Sequence, residues 1–331
     1  MTAENPQTRH TPTPEDLDQH IQPHMVIERI PTKRRTIDIV RKFKEEGLFR
    51  FGCLVIMTTM GLAIFGWLDH YDIYRLWPFD PNRATGNVSV EPPGFLEIPG
   101  LLWKTVILGH EPPHWFGTDN AGLDVFSRTL AAPRTDMTIA IVAAFLSMFI
   151  GTAFGLVAGF YRNALTEFLM RISDLLQAFP VFITAMILVA LSGRNEFNII
   201  LALALVYTPI FIRLTRAEVM GQAVRGYVES ARAVGNPQWR VAFGHVLPNS
   251  LVPSLVQIST TVGFAILLTS GLSFVGAGVR PPTPEWGLMI ALGADHIILG
   301  EWWGSIFPGV AIALTVFGFA AVGHGLEEDY R

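Results

Sequence analysis

Apolar residues in this chain gather into long runs separated by polar stretches. Six runs reach or approach the roughly 20 residues needed to cross a hydrocarbon core about 30 Å thick: 51–68, 137–160, 168–191, 197–212, 251–275 and 302–322, the fourth being the shortest. The pattern predicts an all-α membrane protein with six transmembrane helices. It divides the chain into an N-terminal tail (1–47), a first transmembrane helix (48–68), an outer loop (69–136), a core of five further transmembrane helices (137–325) that includes a polar loop at 213–249, and a short C-terminal tail (326–331).

The polar loop is itself patterned. Tyr227, Val228, Ala231 and Val234 fall at helical spacing, and Gly235 is a residue that can close a helix in the left-handed conformation. Asn236 is placed to cap a second helix, with Pro237 as its first residue. Val241, Phe243, Val246 and Leu247 would give that helix an apolar side, and Pro248 would stop it. Two short helices between two spans form a compact knob, a shape suited to being presented to another protein.

Charge sets the orientation. Lys33, Arg34, Arg35, Arg41, Lys42, Lys44 and Arg50 precede the first run, and Arg213, Arg216, Arg225, Arg232 and Arg240 sit in the polar loop. The outer loops are longer in total and hold Arg75, Arg83, Lys104, Arg128, Arg134, Arg194 and Arg280. Positive charge marks the cytoplasmic side, so both termini and the knob are expected inside. Half of the residues are hydrophobic and only 16% are charged, which fits a multi-pass protein of the cytoplasmic (inner) membrane, with lipid as a partner and no nucleic acid. The first run serves as the insertion signal, with no cleavable leader expected. Residues 33–46 mix charge with Ile37, Ile39, Val40 and Phe43, the composition of an amphipathic segment on the inner leaflet. The single cysteine, Cys53, excludes an intramolecular disulfide.

Candidate chemistry is sparse. His20 and His24 are separated by Pro23, and His110 and His114 flank Glu111 beside two prolines; neither spacing makes a metal site. Asp119, Asn120 and Asp124 lie near glycines without calcium-loop spacing and read as a turn into the second span. Gly151, Gly155 and Gly159, four apart, predict a helix-packing seam. Arg171 and Asp174 stand near the inner end of the third run, placed for local pairing or for an ion path. The fifth run carries Ser254, Gln257, Ser259, Thr260, Thr261, Thr269, Ser270 and Ser273. These either back-bond to their own helix or wall a hydrated pathway; Gln257, Thr260, Thr261, Thr269 and Ser273 are the pathway candidates. After it, GAGVRPPTPEWG forms an outer turn, and Trp286, Trp302 and Trp303 suit an interfacial aromatic belt. No phosphate-binding G-x-x-x-x-G-K-[ST] motif, C-x-x-C, H-E-x-x-H or G-x-S-x-G occurs. A pore subunit energised by another chain is therefore the leading reading. A proton-coupled secondary transporter would need a titratable group in mid-membrane, and only Asp174 comes near.

The knob resembles the coupling loop of ABC-importer permeases: Glu229-Ser230-Ala231, then Gly235, then His245-Val246-Leu247-Pro248. Three further stretches are similar to the dipeptide/oligopeptide/nickel branch of that family: Gly117-Thr118-Asp119 through Ser127-Arg128, Asp174 through Pro180, and Leu272-Ser273-Phe274-Val275-Gly276 with Pro281 through Gly287. The match spans about 114–325 and looks like the C-type member of a permease pair. Leu123, Thr269 and His324 stand where that branch commonly has arginine, glutamate and aspartate. The resemblance implies a type I importer fold, a second permease, two cytoplasmic ATPases that hold ATP and magnesium, and an extracytoplasmic solute-binding protein. It implies no cofactor, metal or catalysis on this chain. Tyr227, Glu229, Ser230, Ala231, Arg232, Gly235, Asn236, Pro237, Leu247 and Pro248 would form the ATPase joint. Asp119, Asp124, Pro281 and Trp286 would lie on the outer face. Peptides are the expected solutes, with nickel chelates, glycosides and opine-like compounds as alternatives.

Overall fold

A computed structural model describes residues 39–71, 77–94, 97–108, 111–161 and 163–330. His20, His24 and His110 fall outside these residues. Helix α1 (Ile39–Glu45) leads into α2 (Gly47–His70), and α3 (Ile98–Leu108) lies in the outer loop. Next come α4 (Val125–Ala131), α5 (Pro133–Phe160), α6 (Ala164–Ala178), α7 (Val181–Ser192) and α8 (Glu196–Gln222). The knob holds α9 (Gly226–Ala233), α10 (Gln238–Val241), a π-helical turn (Ala242–Val246) and α11 (Leu247–Ser250). The chain then runs through α12 (Val252–Phe274), α13 (Trp286–Ala294), a 3₁₀ turn (Ile297–Leu299) and α14 (Trp303–Tyr330). Among the described residues the extended backbone makes only an isolated bridge, Thr118 to Asp124. Five segments are long and apolar enough to cross a membrane, α2, α4–α5, α8, α12 and α14, and the bent pair α6 and α7 makes a sixth if it is counted as one broken span.

The third span departs most from expectation. It is not one straight helix over 168–191 but two, bent by 95° at Phe179-Pro180. Pro180 lacks an amide proton and disfavours helical backbone in the residue before it; Phe179 is accordingly extended, at φ −96° and ψ 147°. Each half alone is short, about 18 Å for α7 at 1.5 Å per residue. The α6 half is amphipathic, with Glu167, Arg171 and Asp174 spaced by four and three along one side.

Other boundaries shift for related reasons. α8 continues to Gln222, about 40 Å in all, so residues 213–222 are helix rather than loop. Asn195 caps its start by accepting from the Asn198 amide at 2.9 Å. The second span begins before 137, because Pro133 is favourable in a first turn and α4 abuts it. α14 runs through the predicted tail to Tyr330. Its inner end meets the start of α2, where buried Lys42 of α1 bonds Glu46 at 3.0 Å and lies 3.7 Å from Glu328. The two ends of the described chain therefore emerge on the same side.

At the centre, α5 packs along α8, with α12 closing the third side. The seam is built from Gly151, Gly155 and Gly159. A Cβ on Gly155 would stand 2.7 Å from the Ile212 carbonyl oxygen and 2.8 Å from the Thr215 Cβ; on Gly159 it would meet Val219 at 2.8 Å. Only hydrogen fits there. Beside the seam, Thr215 shares hydrogen bonds with Thr152 of α5 at 3.5 Å and Ser254 of α12 at 3.0 Å, polar contacts that join three helices where lipid offers no partner. Replacement of Gly155 by leucine is expected to destabilise the chain by at least about 1–3 kcal/mol through overpacking against backbone. A heating series in detergent read by size-exclusion fluorescence checks this; an unchanged midpoint would show that the seam can open without cost.

Candidate functional site

The knob is folded by its own sequence. α9 ends in a Schellman arrangement: Gly235 takes φ +86°, its amide donates to the Arg232 carbonyl at 2.9 Å, and the Asn236 amide donates to the Ala231 carbonyl at 3.4 Å. The Asn236 side chain adds a second bond to the same carbonyl at 3.0 Å. Asn236 thus closes the first helix and does not cap the second, whose N-cap is Pro237. Pro248 does not stop the second helix either. It sits in the first turn of α11, where a missing amide proton is tolerated, and the chain passes on into α12 after one residue.

The underside of the knob is apolar and bound to the bundle. Val228, Val241, Ala242 and Val246 form one buried cluster with Leu156 of α5 and Val219 of α8, flanked by Phe160, Ala231 and Leu247. Tyr227 donates its hydroxyl proton to Gln222 at 3.0 Å, and Arg232 lies over the Phe160 ring at 5.4 Å. The other side is open. Val234 is 84% and Trp239 59% exposed, with Val224 and Phe243 also exposed. Glu229, Ser230, Arg232, Gly235, Pro237 and Pro248 surround them in solvent. Glu229 makes no ion pair among the described residues, so its carboxylate is available to a partner.

On the opposite side, an outer cradle fixes the turn before α13. Asp119 accepts from the Ala121 and Leu123 amides at 2.9 and 2.8 Å. Asp124 caps α4 through the Ser127 amide at 2.7 Å and holds His114 Nδ1 at 2.7 Å. Both aspartates are thereby occupied by their own turn. Arg128, fully buried, donates to the carbonyls of Pro81 at 2.8 Å and Pro282 at 3.0 Å; Pro281 precedes Pro282 through a cis bond and is exposed. Glu285 caps α13 through the amides of Gly287 and Leu288 at 2.9 and 2.6 Å, and Asp136 of α5 accepts from the Trp286 amide at 3.2 Å. Burial pushes the Glu285 carboxyl upward while these amides pull it back. Trp286 and Trp303 are buried rather than belted at the interface, because each indole N–H finds a buried carbonyl, Thr129 at 2.9 Å and Thr118 at 2.8 Å; Trp302 alone of the three is exposed.

Residues 151–328 match the family described as the binding-protein-dependent transport system inner membrane component. The chain belongs to this permease family. It is 37% identical over 220 residues, 66% of this chain and 73% of the other, to the glutathione transport system permease protein GsiD of Pectobacterium atrosepticum. To the di/tripeptide transport system permease protein DppC of Pseudomonas aeruginosa it is 36% identical over 251 residues, 76% of this chain and 79% of the other. A putative peptide transport system permease protein of Brucella suis is 31% identical over 289 residues, 87% of this chain and 88% of the other. The protein is thus a multi-pass inner-membrane permease of a binding-protein-dependent transport system.

In this permease the five polar candidates on α12 separate. Gln257 and Thr260 are half-buried, whereas Thr261, Thr269 and Ser273 are buried within the chain. Thr261 back-bonds to the Gln257 carbonyl at 2.9 Å, the local alternative that hydroxyls in helices always have. Asp174 pairs with Arg213 at 2.7 Å, both about half-exposed, and not with Arg171. It is not a lone mid-membrane carboxylate, which removes the residue a proton-coupled mechanism would have used. The departing residues have plain settings: Leu123 is buried in the outer turn, Thr269 is buried in α12, and His324 is exposed with its ring 3.4 Å from Glu328.

Sequence reasoning left out Asp136, Glu285 and Arg128 as a group. Asp136 belongs to the first turn of α5 and not to the outer loop, and the helix pattern ahead of Met137 is the signal for it. Removing the cap with Glu285→Ala is expected to cost about 0.5–2 kcal/mol, lowering the thermal midpoint of the detergent-purified permease, with Glu285→Gln losing less. Equal midpoints for wild type and Glu285→Ala would show that the turn is held without it.

Proposed function

We propose that this permease forms half of the translocation pathway of an ATP-driven importer of di- and oligopeptides, and that α9 through α11 are its joint with a separate ATPase. The observation that carries the reading is the two-sided knob. One side is sealed onto α5 and α8 by the Val228–Val246 cluster; the other presents Val234, Trp239 and Phe243 to solvent, beside Glu229, which has no ion pair among the described residues. Exposed apolar residues ringed by polar ones mark a protein interface, and aromatic anchors are typical of its centre. The chain's family membership supports a partner that supplies energy, since binding-protein-dependent transport needs more than one chain.

ATP and magnesium would be held by two ATPase subunits. Their closure would push the knob, and the knob would carry α5 and α8 with it, because Val228 packs in one cluster with Leu156 of α5 and Val219 of α8. A second, homologous permease would complete the pathway, and an extracytoplasmic binding protein would deliver solute near the outer cradle. Gln257 and Thr260, half-buried on α12, are the pathway candidates that an adjoining subunit could reach. Peptide is the favoured cargo because the relatives above are named for peptides and for glutathione, itself a small peptide; nickel chelates, glycosides and opine-like solutes have no comparable support.

The test uses the assembled transporter in vesicles. Gly235→Pro forces φ to about −65° at a position that needs a positive value, and Val234→Asp puts charge into the exposed apolar patch. Both are expected to reduce ATP-dependent peptide uptake by more than tenfold while the permease stays in the membrane at its normal level. Wild-type uptake by both variants would refute the joint; loss of uptake with normal peptide-stimulated ATPase turnover would move the defect away from it.

A further inference from the structure

We infer that the inner-leaflet side of α5, α6 and α8 is a binding site for one anionic phospholipid. Two adjoining cavities carry the inference. The first, about 460 Å³, is a groove among these helices lined by Ile150, Phe154, Ile172, Leu176, Leu205 and Ile212. The second, about 500 Å³, is lined by Arg171, Arg213 and Arg216 with Glu167 and Asp174. Met170 lines both, and along α8 the apolar lining at 201–212 is followed directly by the charged lining at 213–220, so the two adjoin.

The order of chemistry along the path matches the order of parts in a phospholipid. At the charged end, three guanidiniums face two carboxylates. Arg213 is taken by Asp174 at 2.7 Å, and Arg216 lies 3.8 Å from Glu167. Arg171 makes no ion pair among the described residues, and the buried Nε of Arg216 has no acceptor. A phosphate oxygen would supply the partner that the exposed Arg171 guanidinium lacks, and guanidinium groups suit phosphate. Next comes Ser173, 2% exposed, lining the groove with a hydroxyl that has no partner. Most helical serines can satisfy themselves by back-bonding; this hydroxyl is left without a partner at the groove wall. Beyond it the wall is hydrocarbon. Depth agrees as well. Counting from Glu196 at about 1.5 Å per residue, Arg213 and Arg216 lie about 26 and 30 Å along α8, at the inner edge of a core about 30 Å thick. Basic pockets between helices at this level are suited to acidic headgroups.

The occupant is a lipid rather than a free anion because the arginine pocket adjoins an apolar groove that a free phosphate would leave empty. None of the residues lining these two cavities belongs to α9, α10 or α11.

The experiment is native mass spectrometry of the complete transporter released from nanodiscs of phosphatidylglycerol or of phosphatidylcholine. One phosphatidylglycerol per copy of this chain is expected to survive collisional conditions that strip the remaining lipid, with phosphatidylcholine retained at least fivefold less. Arg171→Gln and Leu205→Trp alter exposed side chains, so folding is preserved; each is expected to cut phosphatidylglycerol retention at least fivefold, the first by removing charge and the second by filling the groove. Equal retention in Arg171→Gln overturns the headgroup assignment. Loss in Arg171→Gln but not in Leu205→Trp overturns the lipid in favour of a bare anion site. Efficient disulfide cross-linking of Leu205→Cys to a cysteine on the second permease overturns it in favour of protein filling the groove.

Discussion

The close approach of α5 and α8 is the constraint from which the rest follows. Three glycines four residues apart put the two backbones near van der Waals contact where Gly151–Gly159 face Thr208–Val219. In a bilayer, helices gain little from burying apolar surface against one another, because lipid tails are as apolar as leucine; tight packing and scattered polar contacts must hold them. The seam supplies the packing, and the Thr152–Thr215–Ser254 hydroxyls supply the polar contacts. With this pair fixed, α12 has a wall to lie against, the knob has a floor in Leu156 and Val219, and the outer cradle has a rigid Asp136 to grip.

The two ends of the pair are finished in different ways. Inside, a short helix closed by Gly235 and Asn236 is bound through apolar contacts and leaves an apolar patch uncovered. Outside, buried polar groups do the work: Arg128, Asp136 and Glu285 tie the Pro282–Trp286 turn to α4 and α5. Apolar contact tolerates small sliding, whereas a network of directed hydrogen bonds fixes register. The inner end is thus suited to receiving a partner and the outer end to holding a shape.

Much of this was legible in the residues. The long apolar runs announced α2, α5, α12 and α14, and arginine placement gave the side on which the knob lies. The glycine interval announced the seam, since four-residue spacing has one direct structural use in a span. Gly235 announced a helix end. What escaped notice depends on backbone geometry or on distant partners. Hydropathy adds Pro180 to an apolar run without registering that it bends the chain by 95°. Asn236 and Pro237 are good starts for a helix, but the stronger demand came from the open carbonyl of Ala231. α8 hides its last turns because Arg213 and Arg216 look like loop charges when they are helix residues beside α6. Asp136 and Glu285 are 149 positions apart, and nothing local marks either as buried. Tryptophan favours interfaces on average, yet Trp286 and Trp303 found carbonyls inside.

The unbroken run of α8 has a thermodynamic meaning beyond mechanics. One helix reaches from the Asn195 cap at the outer end to Gln222 beside the knob, and it is welded to α5 on the way. Two binding sites joined by such an element share one conformational equilibrium, and their influence on each other must be equal in free energy in both directions. On the proposed reading, whatever a nucleotide-bound inner partner did to the affinity of the outer mouth, docking at that mouth would do to that partner's affinity for nucleotide. A continuous span of this kind would then be a two-way gauge, reporting cargo inward as well as delivering energy outward.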